Sequence, residues 1–191
     1  GHVDHFGAVN FFKRMFGTKI YMGEPDVKMF QENPELALIQ ESGNCTEKLF
    51  DIDVSIKEGD VLTFGNTEIE FHLVPGHTQG CIACFFDVTD GAEKKRVGYY
   101  GGFGFNTLQE EYLREIGDET LEARKQYHHS LASVREQKVD IFMGNHTANV
   151  DLLNKRKYMT EHPGENPFID SEAWKNYLDL KEKELSELEQ V

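Results

Sequence analysis

The chain opens on Gly1-His2-Val3-Asp4-His5, which places two imidazoles and a carboxylate within five residues. Imidazole nitrogen and carboxylate oxygen are both good ligands for a borderline divalent ion such as zinc. The same spacing also suits a polar turn that caps the next helix, so the opening takes on a chemical meaning only if ligands arrive from elsewhere. Two further histidines stand where an apolar run gives way to a loop. In Val74-Pro-Gly-His-Thr-Gln-Gly80 the run stops at Pro75, Gly76 permits a tight turn, and His77 is presented at the end of a strand. In Ile141-Phe-Met-Gly-Asn-His-Thr147 a buried strand, a glycine and then His146 repeat that arrangement. Each histidine alone reads as a loop residue. Together with the opening they place ligands at two strand ends and one helix start, which is how a rigid scaffold builds a metal site.

The remaining candidates carry less. His72 lies inside a strand pattern, and His128 and His129 lie on a helical pattern, one turned inward and one outward, so structural roles are expected for all three. His162 precedes a proline in a loop. Cys45, Cys81 and Cys84 make no disulfide framework, and Cys81-x-x-Cys84 falls in a strand where residues three apart face opposite ways, so both read as small buried hydrophobes.

These residues need elements to hold them. Val9, Phe12 and Phe16 recur at helical spacing before Gly17, which predicts a helix over 6–16 directly after the opening. A short strand at Lys19–Met22, a helix at Pro25–Phe30 and a polar loop from Gln31 to Lys48 follow. From Phe50 the period becomes two, and strands over 51–56, 61–64, 67–74, 80–88 and 96–100 predict a meander of mostly antiparallel strands. A long helix over 119–137, a strand over 139–143, a helix over 151–159 and a last helix beginning at Asp170 or Ser171 close the chain, the last with Trp174, Leu178, Leu185 and Leu188 on its apolar side.

At 191 residues and 39% hydrophobic content, one domain over residues 1–191 with one substantial core is expected. Twenty Lys+Arg against 34 Asp+Glu give a net charge of -14, which repels phosphate backbones and anionic membrane surfaces and argues against nucleic acid or membrane as a partner. No apolar run reaches membrane-spanning length, so a soluble protein is expected. The sequence begins on chemistry with no strand leading into it, and an N-terminal part before Gly1 is expected.

Gly-His-x-Asp-His at a helix start, then Pro-Gly-His-Thr-x-Gly, then Gly-Asn-His, in this order across essentially all 191 residues, resembles the metallo-β-lactamase superfamily. The resemblance implies an α+β fold, the four-layer αββα sandwich, with the leading strands of the first sheet absent from this chain. The family's opening motif is His-x-His-x-Asp-His; Gly1 stands at its first spacer, so the first histidine falls before the chain. Carried over by position, His2 and His77 hold one metal, a ligand short in this chain, and Asp4, His5 and His146 hold a second. Most hydrolases of the superfamily carry a metal-bridging aspartate in a Gly-Asp motif where this chain has Tyr99-Tyr-Gly-Gly-Phe-Gly-Phe-Asn106. Gly101 and Gly102 have no side chain to give, so the resemblance is closest to the β-lactamase subclass that uses neither aspartate nor cysteine there. Asn166 to Trp174 also resembles a tail of that branch.

The implied function is a hydrolase with two Zn2+ ions that activates a water for attack on an amide, lactone or thioester of a small-molecule substrate. Asp4 would ligate and orient the nucleophile, and Tyr100 and Asn106 are the residues expected to line the pocket. The competing expectation is a non-catalytic fragment or binding scaffold with an incomplete metal site, in which an open sheet face favours self-association.

Overall fold

The computed structural model describes residues 1–42, 49–91 and 93–190. Cys45 and residues 43–48 of the polar loop lie outside them. The opening residues form a single helical turn, α1 (Val3–Phe6), separated by Gly7 and Ala8 from α2 (Val9–Phe16). Gly17 ends α2 in the left-handed conformation at φ 63, which a residue without Cβ adopts at least cost. The short strand β1 (Tyr21–Gly23) runs directly into α3 (Glu24–Glu32), whose first turn carries Pro25, Glu24 and Asp26, a composition that suits the donor-rich start of a helix.

Strand β2 (Val54–Ile56) pairs parallel with β1, Tyr21 opposite Val54 and Gly23 opposite Ile56. It therefore does not open the meander, as its alternation suggests, but completes a separate two-stranded sheet. The reason is local: the Asp53 carboxylate accepts a bond from the Ile20 N–H at 2.9 Å and from Lys13 Nζ at 2.7 Å, and the Asp53 and Val54 amides donate to the Ile20 carbonyl. The antiparallel meander is β3 (Val61–Phe64), β4 (Thr67–Leu73), β5 (Ile82–Asp90) and β6 (Glu93–Tyr100), in chain order. After α4 (Glu110–Glu115) and α5 (Glu122–Val134), β7 (Ile141–Gly144) adds to the far side of β6 in parallel and completes a five-stranded sheet. Helices α6 (Leu152–Glu161) and α7 (Ala173–Leu188) follow.

The main core lies between this sheet and helices α5 and α7, around Phe85, Tyr100, Tyr127, Trp174, Leu178 and Leu185. Trp174 packs edge-on against Phe85 and donates its indole N–H to the Val134 carbonyl at 3.0 Å, so the apolar body is buried and the polar handle is satisfied. A smaller cluster of Val3, Phe6, Phe30 and Ala37 anchors α1 beneath the opening residues. The apolar side of α2 faces outward: Phe12 is 47% and Phe16 68% exposed, and the rings rest on one another. Cys81 is buried and Cys84 half-buried, both are free, and burial raises the Cys84 thiol to about 11. Among the described residues, no helix is long and apolar enough to cross a membrane.

Candidate metal centre

The opening residues divide between two groups of candidate ligands. His2 precedes α1 with extended backbone (φ -94, ψ 153), whereas Asp4 and His5 lie inside the helical turn. Successive side chains on a helix point roughly 100° apart, so the buried His2 faces one way and the exposed Asp4 and His5 another.

His2 meets His77. Its Nδ1 lies 3.0 Å from His77 Nε2, with the rings edge to face and their centroids 4.6 Å apart. The turn that delivers His77 requires glycine: Gly76 has φ 144, and a Cβ there would stand 2.6 Å from Cβ of Tyr127. The His77 Nδ1 lies 2.9 Å from the Gly104 carbonyl, which can only accept, so Nδ1 carries the proton and Nε2 presents its lone pair. Thr107 Oγ1 sits 2.9 Å from the same Nδ1 and donates to the His77 carbonyl at 2.8 Å, which fixes the ring from a second side. Burial, reinforced by the neighbouring His77, holds His2 down to about 3, and burial holds His77 down to about 4. Both imidazoles are therefore neutral at pH 7, the state a metal requires.

The loop carrying His77 is fastened to the opening segment by a buried carboxylate. Asp26, 1% exposed, accepts from the Gly80 N–H at 2.7 Å, from Thr78 Oγ1 at 2.7 Å and from the Gly1 nitrogen at 2.6 Å. Close packing requires the glycine here too, since a Cβ on Gly80 would stand 2.4 Å from the Asp26 nitrogen.

Asp4 and His5 meet His146. The Asp4 carboxylate lies 3.4 Å from His5 Nε2 and 3.6 Å from His146 Nε2, and one ligand atom from each residue falls within 4.8 Å of the others. His146 leaves the end of β7 and caps a short 3-10 turn, with its amide donating to Asn149 Oδ1 at 2.9 Å. Burial lowers His5, with the Asp4 charge opposing it.

Nitrogens bound to one tetrahedral zinc at ~2.0–2.1 Å stand about 3.3 Å apart, close to the 3.0 Å between His2 and His77 and the 3.4 and 3.6 Å from Asp4 to His5 and His146. Four imidazoles and one carboxylate suit zinc in kind as well. A cavity of about 260 Å³ adjoins both groups and is lined by His2, His5, His77, Tyr99, Gly102 and Asn145 among others. In its wall Asn145 Oδ1 is buried with no hydrogen-bond partner among the described residues. A second cavity of about 390 Å³ lies on the other side of His2 and His77, against Met29, Leu36, Thr107, Tyr112 and Ile116.

The five expected ligands are thus brought into two adjacent groups, but the expected pocket residues are not where the sequence reading puts them. Tyr100 is wholly buried, stacked on Phe103 at 4.4 Å in the main core, and lines neither cavity. Adjacent strand residues face opposite sides of a sheet, and it is Tyr99 that reaches the smaller cavity. Asn106 is exposed and borders neither cavity, while its neighbour Thr107 lines the larger one. Gly102, at φ 87, leaves no room for a bridging side chain, because a Cβ would stand 2.4 Å from Cys81 Sγ and 3.0 Å from His77 Cβ. Asp26, Thr107 and the Gly104 carbonyl also support the site without any marked sequence signal. Asp26 in a first helical turn looks like an ordinary capping charge, and a backbone carbonyl has no sequence signal.

Residues 1–91 match the Metallo-beta-lactamase superfamily. The native FEZ-1 metallo-β-lactamase from Legionella gormanii superposes with a TM-score of 0.83 at 24% identity, covering 100% of this chain and 72% of that one. The class B3 di-zinc metallo-β-lactamase LRA-12 from an Alaskan soil metagenome gives a TM-score of 0.73 at 22% identity, over 97% of this chain and 69% of that one. An uncharacterized protein of Aquifex aeolicus (strain VF5) is 33% identical over 99 residues, 51% of this chain, and the match spans only 42% of that relative's length. The chain as a whole has the metallo-β-lactamase fold.

Proposed function

We propose that the protein is a zinc-dependent hydrolase with a dinuclear site, related to the β-lactamase subclass that uses neither aspartate nor cysteine as the bridging ligand. The observation that carries this reading is the convergence of Asp4, His5 and His146 beside the neutral pair His2 and His77. His2 and His77 would hold one ion, and Asp4, His5 and His146 the other. LRA-12, named as a di-zinc enzyme, has the same fold, and Gly102 with its crowded surroundings accords with that subclass. When bound, the ions supply a water of lowered pKa and polarise the scissile carbonyl. The chain's own residues position the partners. Asp4 orients the attacking water through its carboxylate, His77 is held in its ligand tautomer by Gly104 and Thr107, and the apolar walls beside Tyr99 seat a small-molecule amide, lactone or thioester.

The test is turnover by zinc-loaded protein of a panel comprising a β-lactam, an acyl-homoserine lactone, a thioester and a phosphodiester. Hydrolysis of at least one of the first three, lost in Asp4→Ala and His77→Ala, is expected. Zinc-loaded, folded protein that turns over none of them would instead favour a binding scaffold.

A further inference from the structure

His146 is held by its own turn and, through that turn, by a residue of α7 far from the opening segment and the His77 loop. Its amide donates to Asn149 Oδ1 at 2.9 Å, and the Asn149 backbone N–H returns to the His146 carbonyl at 3.0 Å. The other end of the same amide, Asn149 Nδ2, donates to the Tyr177 hydroxyl on α7 at 2.7 Å. Gly144 makes the arrangement possible, since a Cβ there would stand 2.4 Å from Cβ of Asn149.

Tyr177 is itself wedged. Its ring packs edge-on against Phe103 at 4.8 Å and at a tilt against Phe142 of β7 at 5.1 Å. Phe103 precedes Gly104, whose carbonyl orients His77, so one tyrosine touches the supports of both ligand groups by different parts of its side chain. The ring packs on the loop behind His77, and the hydroxyl reaches the turn behind His146.

We infer that Tyr177 is a positioning residue whose hydroxyl, through the Asn149 amide, sets the backbone from which His146 enters the site. The consequence for metal rests on the reading of His146 as a ligand; the consequence for the backbone does not. Tyr177→Phe removes only the hydroxyl and leaves the ring in its packing. Asn149→Ala removes both bonds. Asn149→Asp restores both in another form, because a carboxylate accepts from the His146 amide with one oxygen and from the Tyr177 hydroxyl with the other.

Two readouts separate this inference from the proposed function. In metal-free protein, amide hydrogen exchange at His146 is expected to quicken about 10-fold in Tyr177→Phe and more in Asn149→Ala, and to return to the parent rate in Asn149→Asp. In a cobalt titration followed by absorption, Tyr177→Phe is expected to lose about 10–100-fold in affinity at the site formed with Asp4 and His5 while the His2–His77 site stays within about twofold. Unchanged exchange at His146 in both Tyr177→Phe and Asn149→Ala overturns the inference, as does equal loss at both cobalt sites. A parent protein that binds no cobalt refutes the proposed function, and the exchange rates still decide the role of Tyr177.

Discussion

Replacing Asp26 by alanine should loosen the protein and the His77 end of its metal site together. The carboxylate is 1% exposed and receives three donors, from Gly1, Thr78 and Gly80. They do not count equally once it is gone. The Thr78 hydroxyl has a second partner in Cys81 Sγ at 3.1 Å and can turn to it. The buried Gly80 N–H and the half-buried Gly1 nitrogen lose their acceptor, and an orphaned donor costs up to about 1–3 kcal/mol, in full where it is buried. Both in full would come to about 2–6 kcal/mol. The 390 Å³ cavity that Asp26 lines admits water to the vacated space, which recovers part of the loss and brings the expected value to about 2–4 kcal/mol. Urea unfolding of parent and Asp26→Ala measures it as a shift in midpoint at constant slope. Because the same bonds tie the His77 turn to the opening residues, metal affinity at the His2–His77 site should fall about 10–100-fold. A stability loss under 1 kcal/mol, or full retention of affinity at that site, would mean that the donors find other acceptors without moving His77, against the role given to Asp26.

Gly76→Ala should cost about 2–4 kcal/mol in the same assay, because the new Cβ meets Tyr127 and φ 144 is a conformation L residues avoid; a loss below 1 kcal/mol would mean the turn moves freely. His128 sits between Glu182 at 2.7 Å and Glu189 at 3.2 Å; burial lowers its pKa, but the two hydrogen bonds outweigh burial and the net shift is upward. A folded-state pKa above the unfolded one gives stabilisation that is complete below about 6.5 and lost as pH rises through the folded value. His128→Ala should accordingly destabilise clearly at pH 5.5 and little at pH 9, and a penalty equal at both pH values contradicts the assignment.

Sequence made the candidate ligands legible because metal chemistry restricts residue type and because glycine and proline mark where strands stop, as at Pro75-Gly76 and Gly144. Which of them meets which was legible through the family resemblance and not through spacing. The split of the opening motif, His2 to His77 and Asp4 with His5 to His146, follows from one helical turn whose start a four-residue segment does not announce. Alternation identified most strands of the meander, but β2 was drawn to β1 by the Asp53 carboxylate, a side-chain contact that periodicity does not record. Phase failed at Tyr99-Tyr100: two adjacent tyrosines must face opposite ways, and nothing in the sequence says which faces the site. For α2 the spacing identified an apolar face without saying what that face meets, and Phe16 is 68% exposed. The supports of the ligands were the least legible part, since Gly104 acts through a carbonyl and Tyr177 acts from 31 positions beyond His146.

How many metal ions the chain holds, and where, decides whether the site is paired. After zinc loading and exhaustive dialysis, elemental analysis of folded protein should give close to two zinc per chain, falling to close to one in His146→Ala, with the remaining ion dependent on His77. Zinc near zero in folded parent protein, or an unchanged content of two in His146→Ala, would contradict the paired site.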